Sequence, residues 1–186
     1  MEMAVPDWMR EQITAAEYDS WSEEVCREIE IVDGMVHLSA RPTARHNRLA
    51  RRIATALEAA STPQWYADGR FDLRLQDVPL NNRCPDTVVY RADTIDIMPC
   101  RPEHVLLVVE VVSPGSETTD RVTKPVQYAQ AGIRHYWRVE RATDPEPEVF
   151  TYELDPGTGA YRATEVFTGR VKATAPFPVE VDLTTP

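Results

Sequence analysis

One run of eight residues, VLLVVEVV at positions 105–112, limits the possible folds of this chain more than any other segment. Its one polar residue is Glu110. Successive side chains of a strand point to opposite faces, so a run that is apolar at both odd and even positions has no face suited to water. Such a run is typical of a central strand covered on both sides. We therefore expect this segment inside a β-sheet.

The rest of the chain predicts a mixture of helices and strands around that segment. The clearest helix covers 43–60, where apolar residues recur every three or four positions, and shorter helices are expected near 10–21 and from about 116 to 131, with Gly132 just past the end. Strands are expected at 28–32, 35–38, 64–67, 71–75, 85–90, 105–112, 135–140, 148–152 and 161–167. Residues 77–83, which include Pro79 and two asparagines, predict a polar turn.

Composition indicates one globular domain over 1–186, with tails at 1–9 and 183–186. No apolar run reaches the ~18 residues of a membrane helix, and the N-terminus lacks the pattern of a secretory signal. The three cysteines are widely spaced and form no C-x-x-C motif. They predict neither a disulfide framework nor a cysteine zinc site, and they favour the cytoplasm.

The distribution of charge is uneven. The net charge of −10 opposes tight binding to nucleic acid, which relies on contacts between basic side chains and phosphates. Residues 41–52, RPTARHNRLARR, nevertheless carry five arginines and no acid. This segment predicts a local basic surface, and we expect Arg41, Arg45 and Arg48 to contact a nucleic-acid backbone.

Glu110 needs an explanation because a buried, unpaired carboxylate is costly. Either it lies at the strand end, where it reaches water or a basic partner, or it binds a metal ion that offsets its charge. Asp86 stands beside another apolar run, TVVY, although an aspartate after proline is also a common turn residue. Two carboxylates at matching strand ends would suit Mg²⁺ or Mn²⁺, which such sites hold together with water and phosphate.

Lys124 is the third candidate. Only Lys124 and Lys172 are lysines among the 20 basic residues, so a lysine here is unusual. It is either a solvated residue paired with Asp120 four positions earlier, or an ammonium kept for chemistry. Together with two metal-binding acids, a lysine that orients water or stabilises charge is typical of metal-assisted phosphodiester hydrolysis.

An ordered set of short motifs resembles the Uma2 family of the PD-(D/E)XK nuclease superfamily. The motifs are E-I-V-D-G at 30–34, R-H at 45–46, P-D at 85–86, V-V-E-V-V-S-P at 108–114, D-R-x-x-K at 120–124, Y-A-x-A-G at 128–132 and Y-W at 136–137. The resemblance covers residues 10–180. It implies an α/β fold with a restriction-endonuclease-like core, in which helices flank a mixed central sheet and further hairpins are added.

The resemblance also implies roles for individual residues. Asp86 and Glu110 match the superfamily's metal-binding acids, and Lys124 matches a helix lysine that stands in for the usual lysine two positions after the second acid. That usual position is Val112 here. Accessory roles are implied for Glu30, His46 and Tyr128, and a homodimer is implied because cutting two strands needs two sites.

Each accessory residue also has a simpler interpretation. Glu30 could be an acid at a strand edge, and His46 a residue on a helix surface or one that contacts phosphate. Tyr128 is expected to pack against the site or hydrogen-bond to it. Pro125 favours a regular helix beginning at Pro125 itself, with an irregular turn before it and Lys124 outside the α-helical region.

Two functions follow. The first is a metal-dependent endonuclease that acts on nucleic acid, with DNA as the expected substrate. The second is an inactive nuclease fold that serves as a nucleic-acid or protein binding module, which Val112, Pro125 and the net charge favour. Another metal-assisted hydrolysis stays open as a third alternative.

Overall fold

The computed structural model describes residues 11–26, 29–38, 42–70, 72–140 and 146–184. Its helices are α1 (Ala15–Asp19), α2 (Glu23–Cys26), α3 (Ala44–Ala60) and α4 (Lys124–Gln130). Its strands are β1 (Ile29–Val32), β2 (Met35–Leu38), β3 (Trp65–Asp68), β4 (Leu73–Asp77), β5 (Leu80–Arg83), β6 (Thr87–Arg91), β7 (Val105–Val111), β8 (His135–Glu140), β9 (Glu148–Asp155), β10 (Ala160–Thr168), β11 (Arg170–Ala173) and β12 (Val179–Asp182).

The apolar run forms β7, an interior strand of a six-stranded sheet. The strand order is β10-β9-β8-β7-β6-β3. β7 pairs antiparallel with β6 and parallel with β8, so the sheet is mixed. With helices on its faces and additional hairpins, this is the α/β architecture expected from the sequence.

Both faces of the sheet are covered, as the lack of a polar face on β7 requires. Leu107, Val109 and Val111 pack in one cluster with the apolar side of α3 and with the hairpin of β11 and β12. On the other face Val108 packs with Tyr128 of α4. Glu110 shares the face of Val108, because side chains two positions apart point the same way. The carboxylate therefore faces α4.

A second sheet, in the order β2-β1-β5-β4, brings Glu30 and Arg83 toward the same region. The expected ribbon of β1 and β2 forms, although residue 28 lies outside the described residues. The polar turn expected over 77–83 is wrong in its second half, because Leu80–Arg83 is strand β5. Its polar side chains are buried there and bonded to other segments, which the sequence pattern does not reveal.

Other boundaries differ modestly from expectation. The short N-terminal helix is α1, where Thr14 and Glu17 form a capping box. Residue 10 of the expected helix and residue 71 of the strand expected at 71–75 lie outside the described residues. The hairpin of β9 and β10 is longer than expected. The hairpin of β11 and β12 was not expected at all.

The segment around Pro125 is helical but irregular before it. Thr119–Thr123 is a π-helical turn, and the α-helix continues from Lys124 with Pro125 in its first turn. The irregular turn was expected. The expectation that Lys124 leaves the α-helical region is wrong, since its φ and ψ are −61° and −46°. Gly132 has φ of +81°, the left-handed conformation that commonly follows a helix end.

The expected C-terminal tail does not begin at residue 183. Leu183 is 2% exposed and belongs to the cluster beneath α3, and its amide donates a hydrogen bond to the carbonyl of Gly169. Among the helices of the described residues, none has the length and apolar character needed to cross a membrane.

Leu183 should therefore contribute to folding stability. We expect Leu183→Ala to lower the free energy of unfolding by about 2–5 kcal/mol, because it leaves a cavity in the core. Thr174→Ala, at an exposed position between β11 and β12, is the matched control and should change it by less than about 0.5 kcal/mol. Urea unfolding measures both, and equal values for the two variants would contradict the packed C-terminus.

Candidate active site

The two candidate acids meet where β6 begins and its antiparallel neighbour β7 ends. The strand register pairs Thr87 with Val109, so Asp86 and Glu110 are the next residues outward on the two strands. The amide of Val111 donates to Oδ2 of Asp86 over 2.8 Å. Both acids line one cavity of about 190 Å³, which Lys124 also lines. The structure thus brings the three main candidates together.

Asp86 is held by α3 as well as by β7. Nε2 of His46 lies 3.1 Å from Oδ2 of Asp86 and 2.9 Å from the carbonyl oxygen of Val111. Burial alone would lower the pKa of His46, but the hydrogen bond to Asp86 and its charge outweigh burial and raise it. His46 is buried, so its interpretation as a helix-surface residue is wrong.

Glu110 is 2% exposed and makes two strong contacts with α4. The hydroxyl of Tyr128 donates to Oε1 over 2.6 Å, and Nζ of Lys124 lies 2.9 Å from Oε2. Burial raises the pKa of Glu110 to about 8, although the charge of Lys124 acts in the opposite direction. Glu110 therefore has a basic partner and is almost fully buried.

Lys124 lies between carboxylates. Its Nζ is 3.0 Å from Oδ1 of Asp120 and 3.8 Å from Oε1 of Glu30, in addition to its contact with Glu110. Burial alone would lower the pKa of Lys124, but the carboxylates of Glu110, Glu30 and Asp120 outweigh it and raise the pKa well above its ordinary value. The pair with Asp120 exists, but both residues are buried, so the solvated interpretation of Lys124 is wrong.

Glu30 belongs to the same cluster and is not a solvated acid at a strand edge. Its Oε2 accepts a hydrogen bond from Nη1 of Arg83 over 2.8 Å, and its Oε1 accepts one from the amide of Cys84 over 3.0 Å. Arg83 also donates to the side chain of Gln127 on α4. These contacts connect the second sheet to the helix that carries Lys124.

Sequence reasoning missed Asp120, Arg83 and Arg70 as residues of this cavity. The D-R-x-x-K motif contained a signal for Asp120, since residues four apart share a helical face. Arg83 follows two asparagines in an apparent turn, so the sequence contained no signal for it. Arg45 and Arg48, which were expected to contact a nucleic-acid backbone, are exposed on α3 and are not among the described residues that line the cavity. The third expected arginine, Arg41, lies in a part of the chain that is not described.

The cavity is lined by four acidic side chains and by three side chains that are cationic at neutral pH. Glu30, Asp86, Glu110 and Asp120 line it together with Lys124, Arg83 and Arg70. Within the described ranges no group of three histidine, cysteine or acidic side chains is arranged to hold a metal ion. Mg²⁺ needs only one or two carboxylates when water and phosphate complete its shell. The donor type, the buried negative charge and the raised pKa of Glu110 all fit a divalent cation at Asp86 and Glu110.

A comparison with protein families identifies the chain. The model of the Uma2 family, described as "Putative restriction endonuclease", matches residues 15–186. The chain belongs to the Uma2 family. This agrees with the resemblance that its motifs indicate. The description of the family supports a nuclease as the class of enzyme.

Comparison of structures supports the same fold. The crystal structure of a "putative nuclease belonging to DUF820" from Anabaena variabilis superimposes with a TM-score of 0.63. The match covers 89% of this Uma2 chain and 89% of that chain, at 15% sequence identity. At this identity the likeness concerns the fold alone. A search of curated proteins found no match.

The state of Glu110 should be visible in the pH dependence of stability. Its pKa rises from 4.5 to about 8 on folding, so between these values the folded chain binds a proton that the unfolded chain has lost. Stability should therefore fall as pH rises through this window, by up to about 1.4 kcal/mol per pH unit. Glu110→Gln cannot titrate and should lose this contribution.

Urea unfolding at several pH values between 5 and 8, in buffer with EDTA, measures the effect. The difference between the original chain and Glu110→Gln cancels the contributions of groups that do not interact with Glu110. Glu165→Gln, at an exposed position of β10, is the control and should keep the original slope. A Glu110→Gln slope equal to that of the control would show that Glu110 does not take up a proton on folding.

Proposed function

We propose that this Uma2 protein is a metal-dependent endonuclease that hydrolyses phosphodiester bonds in DNA. The observation that carries the proposal is the convergence of Asp86, Glu110 and Lys124 from β6, β7 and α4 on one cavity. The family description and the nuclease named for the structural neighbour support the reaction class. The proposed cofactor is Mg²⁺ or Mn²⁺.

The proposed metal ligands are the carboxylates of Asp86 and Glu110. A bound divalent cation would polarise the phosphate and lower the pKa of a bound water. Val111 and His46 fix one oxygen of Asp86, and Tyr128 fixes one oxygen of Glu110. These contacts restrict both side chains to one orientation, which favours binding of an incoming ion because less conformational freedom is lost.

Lys124 is proposed as a stabiliser of negative charge and not as the group that removes a proton. Its raised pKa means that it stays an ammonium at neutral pH, with three carboxylates around it. An ammonium can donate hydrogen bonds to a water or to the charge that develops on a phosphate. Its ion pairs with Glu110 and Asp120 hold it on the cavity wall. Val112 occupies the superfamily's usual lysine position.

The proposal also covers the DNA contacts, the oligomeric state and the cellular location of the protein. Arg45 and Arg48, exposed on α3, are proposed to contact the DNA backbone. A homodimer is proposed because both strands of a duplex need a site. The cytoplasm is proposed from the pattern of cysteines, whose thiols are all free in the structure.

The alternative is a nuclease fold that binds nucleic acid or protein without cutting. Two observations favour it: Val112 is apolar and buried, and protein groups contact both oxygens of Glu110. The assay that tests catalysis also separates this alternative.

The test is cleavage of plasmid DNA and labelled oligonucleotides in Mg²⁺ or Mn²⁺, with EDTA as the blank. We expect cleavage by the original chain and by the control Glu165→Gln. Asp86→Asn and Glu110→Gln should abolish it, because each removes a ligand charge, and Lys124→Met should lower it by on the order of 10²–10³-fold. Binding of the same oligonucleotides is measured alongside.

Cleavage by Glu110→Gln at the rate of the control would remove Glu110 from the mechanism. Binding without cleavage in either metal would favour the binding module over the nuclease. Circular dichroism of each variant confirms that the loss comes from the site and not from unfolding.

A further inference from the structure

A second cavity adjoins the candidate active site. It has a volume of about 600 Å³ and lies along α3. Its lining includes the small residues Ala50, Ala54 and Ala59 and the polar residues Asn47 and Arg51. We call this cavity the α3 groove. The two residues that line both the groove and the active-site cavity are Asp86 and Arg70.

Arg70 has an unusual backbone conformation. Its φ of +51° lies in the left-handed region, which is unfavourable for a residue with a Cβ. Residues in such conformations persist where their surroundings hold them, and they cluster at ligand-binding sites. The left-handed backbone of Arg70 therefore indicates a functional role for this residue.

The loop that carries Arg70 is fixed to the segment of Asp86. The amide of Arg70 donates to the carbonyl of Pro85 over 3.2 Å. Gly69 approaches so closely that an added Cβ would lie 3.1 Å from the carbonyl oxygen of Asp86. The backbone of Gly69 and Arg70 thus lies against the backbone of Pro85 and Asp86, which places Arg70 beside the proposed metal ligand.

The guanidinium of Arg70 reaches the wall of the active-site cavity. Burial raises the pKa of the Cys84 thiol to about 11, and the charge of Arg70 acts in the opposite direction. Cys84 lines the active-site cavity. Arg70 is also exposed, so a ligand that enters from solvent can contact it.

The acids of the α3 groove already accept protein hydrogen bonds. Oδ2 of Asp68 accepts from the hydroxyl of Tyr90 over 2.7 Å, and Oε2 of Glu58 accepts from the amide of Ala67 over 2.6 Å. An arginine offers a planar pair of donors that matches two phosphate oxygens. Because Arg70 lines both cavities, an anionic ligand at their junction would contact its side chain.

We propose that Arg70 binds the phosphate next to the one that is cut, so that the intervening nucleotide lies at the mouth of the α3 groove. The inference rests on the proposed function, because it takes the scissile phosphate to lie at Asp86 and Glu110. A strand that passes from one cavity to the other must pass Arg70, since only Arg70 and Asp86 line both among the described residues.

The first test is binding of a fluorescein-labelled DNA oligonucleotide by anisotropy, in Ca²⁺ and at several salt concentrations. Arg70→Asn removes the charge but tolerates the left-handed backbone. We expect about tenfold weaker binding and a fall of about 0.7–0.9 in the slope of log K against log salt, the value for one lost phosphate contact. Arg70→Lys should keep the slope, and Arg162→Ala, an exposed arginine on β10, is the control.

The second test compares cleavage of the oligonucleotide with that of bis(4-nitrophenyl) phosphate, which has no neighbouring phosphate. Arg70→Asn should lose more kcat/KM, mainly through KM, on the oligonucleotide than on the small diester. Equal losses on both would place Arg70 at the scissile phosphate and overturn the inference.

The outcomes separate this inference from the proposed function. Binding and salt slopes of Arg70→Asn equal to those of Arg162→Ala overturn the role of Arg70, even if the chain cuts DNA. Binding that depends on Arg70 without cleavage of either substrate retains the phosphate contact and removes only the hydrolysis. A chain that binds no oligonucleotide overturns the inference.

Discussion

The buried contact between Lys124 and Glu110, 2.9 Å long, is the interaction on which the rest of this structure depends. A carboxylate on an interior strand is tolerable only with a partner, and here the partner must come from the helix on that face of the sheet. Removing one member of such a pair commonly costs 3–5 kcal/mol, because the other charge stays buried. The contacts of Lys124 and Tyr128 with Glu110 thus contribute both to the packing of α4 on the sheet and to the geometry of the candidate site.

The same region gathers the acidic side chains of Glu30, Asp86, Glu110 and Asp120 in one cavity. Lys124 contacts three carboxylates, and Glu110 has a pKa of about 8 as a result of burial. Stability alone does not require such buried acids, because replacing a buried ion pair with well-packed apolar residues is often neutral or stabilising. Among these acids, Asp86 and Glu110 supply the oxygen ligands of the proposed cation, and Arg83 joins Glu30 to α4.

The sequence predicted those parts of the fold that have a clear period. The apolar run of β7 and the apolar side of α3 could be predicted without tertiary information. Glu110 stood out as the one carboxylate inside that run, and Asp86 as an acid beside another apolar run. Strand β5 was missed because Asn82 and Arg83 are polar yet fully buried, with partners more than 50 positions away. Arg70 was missed because a left-handed backbone on a residue other than glycine or asparagine leaves no mark in the sequence.

The central claim is that Asp86 and Glu110 hold one divalent cation between them. Diffraction from crystals soaked in Mn²⁺, recorded at a wavelength where manganese scatters anomalously, tests it most directly. The account predicts one strong anomalous peak in contact with both carboxylates, and its loss in crystals of Asp86→Asn. A peak bound elsewhere with none at this pair, or a peak that survives in Asp86→Asn, would contradict it.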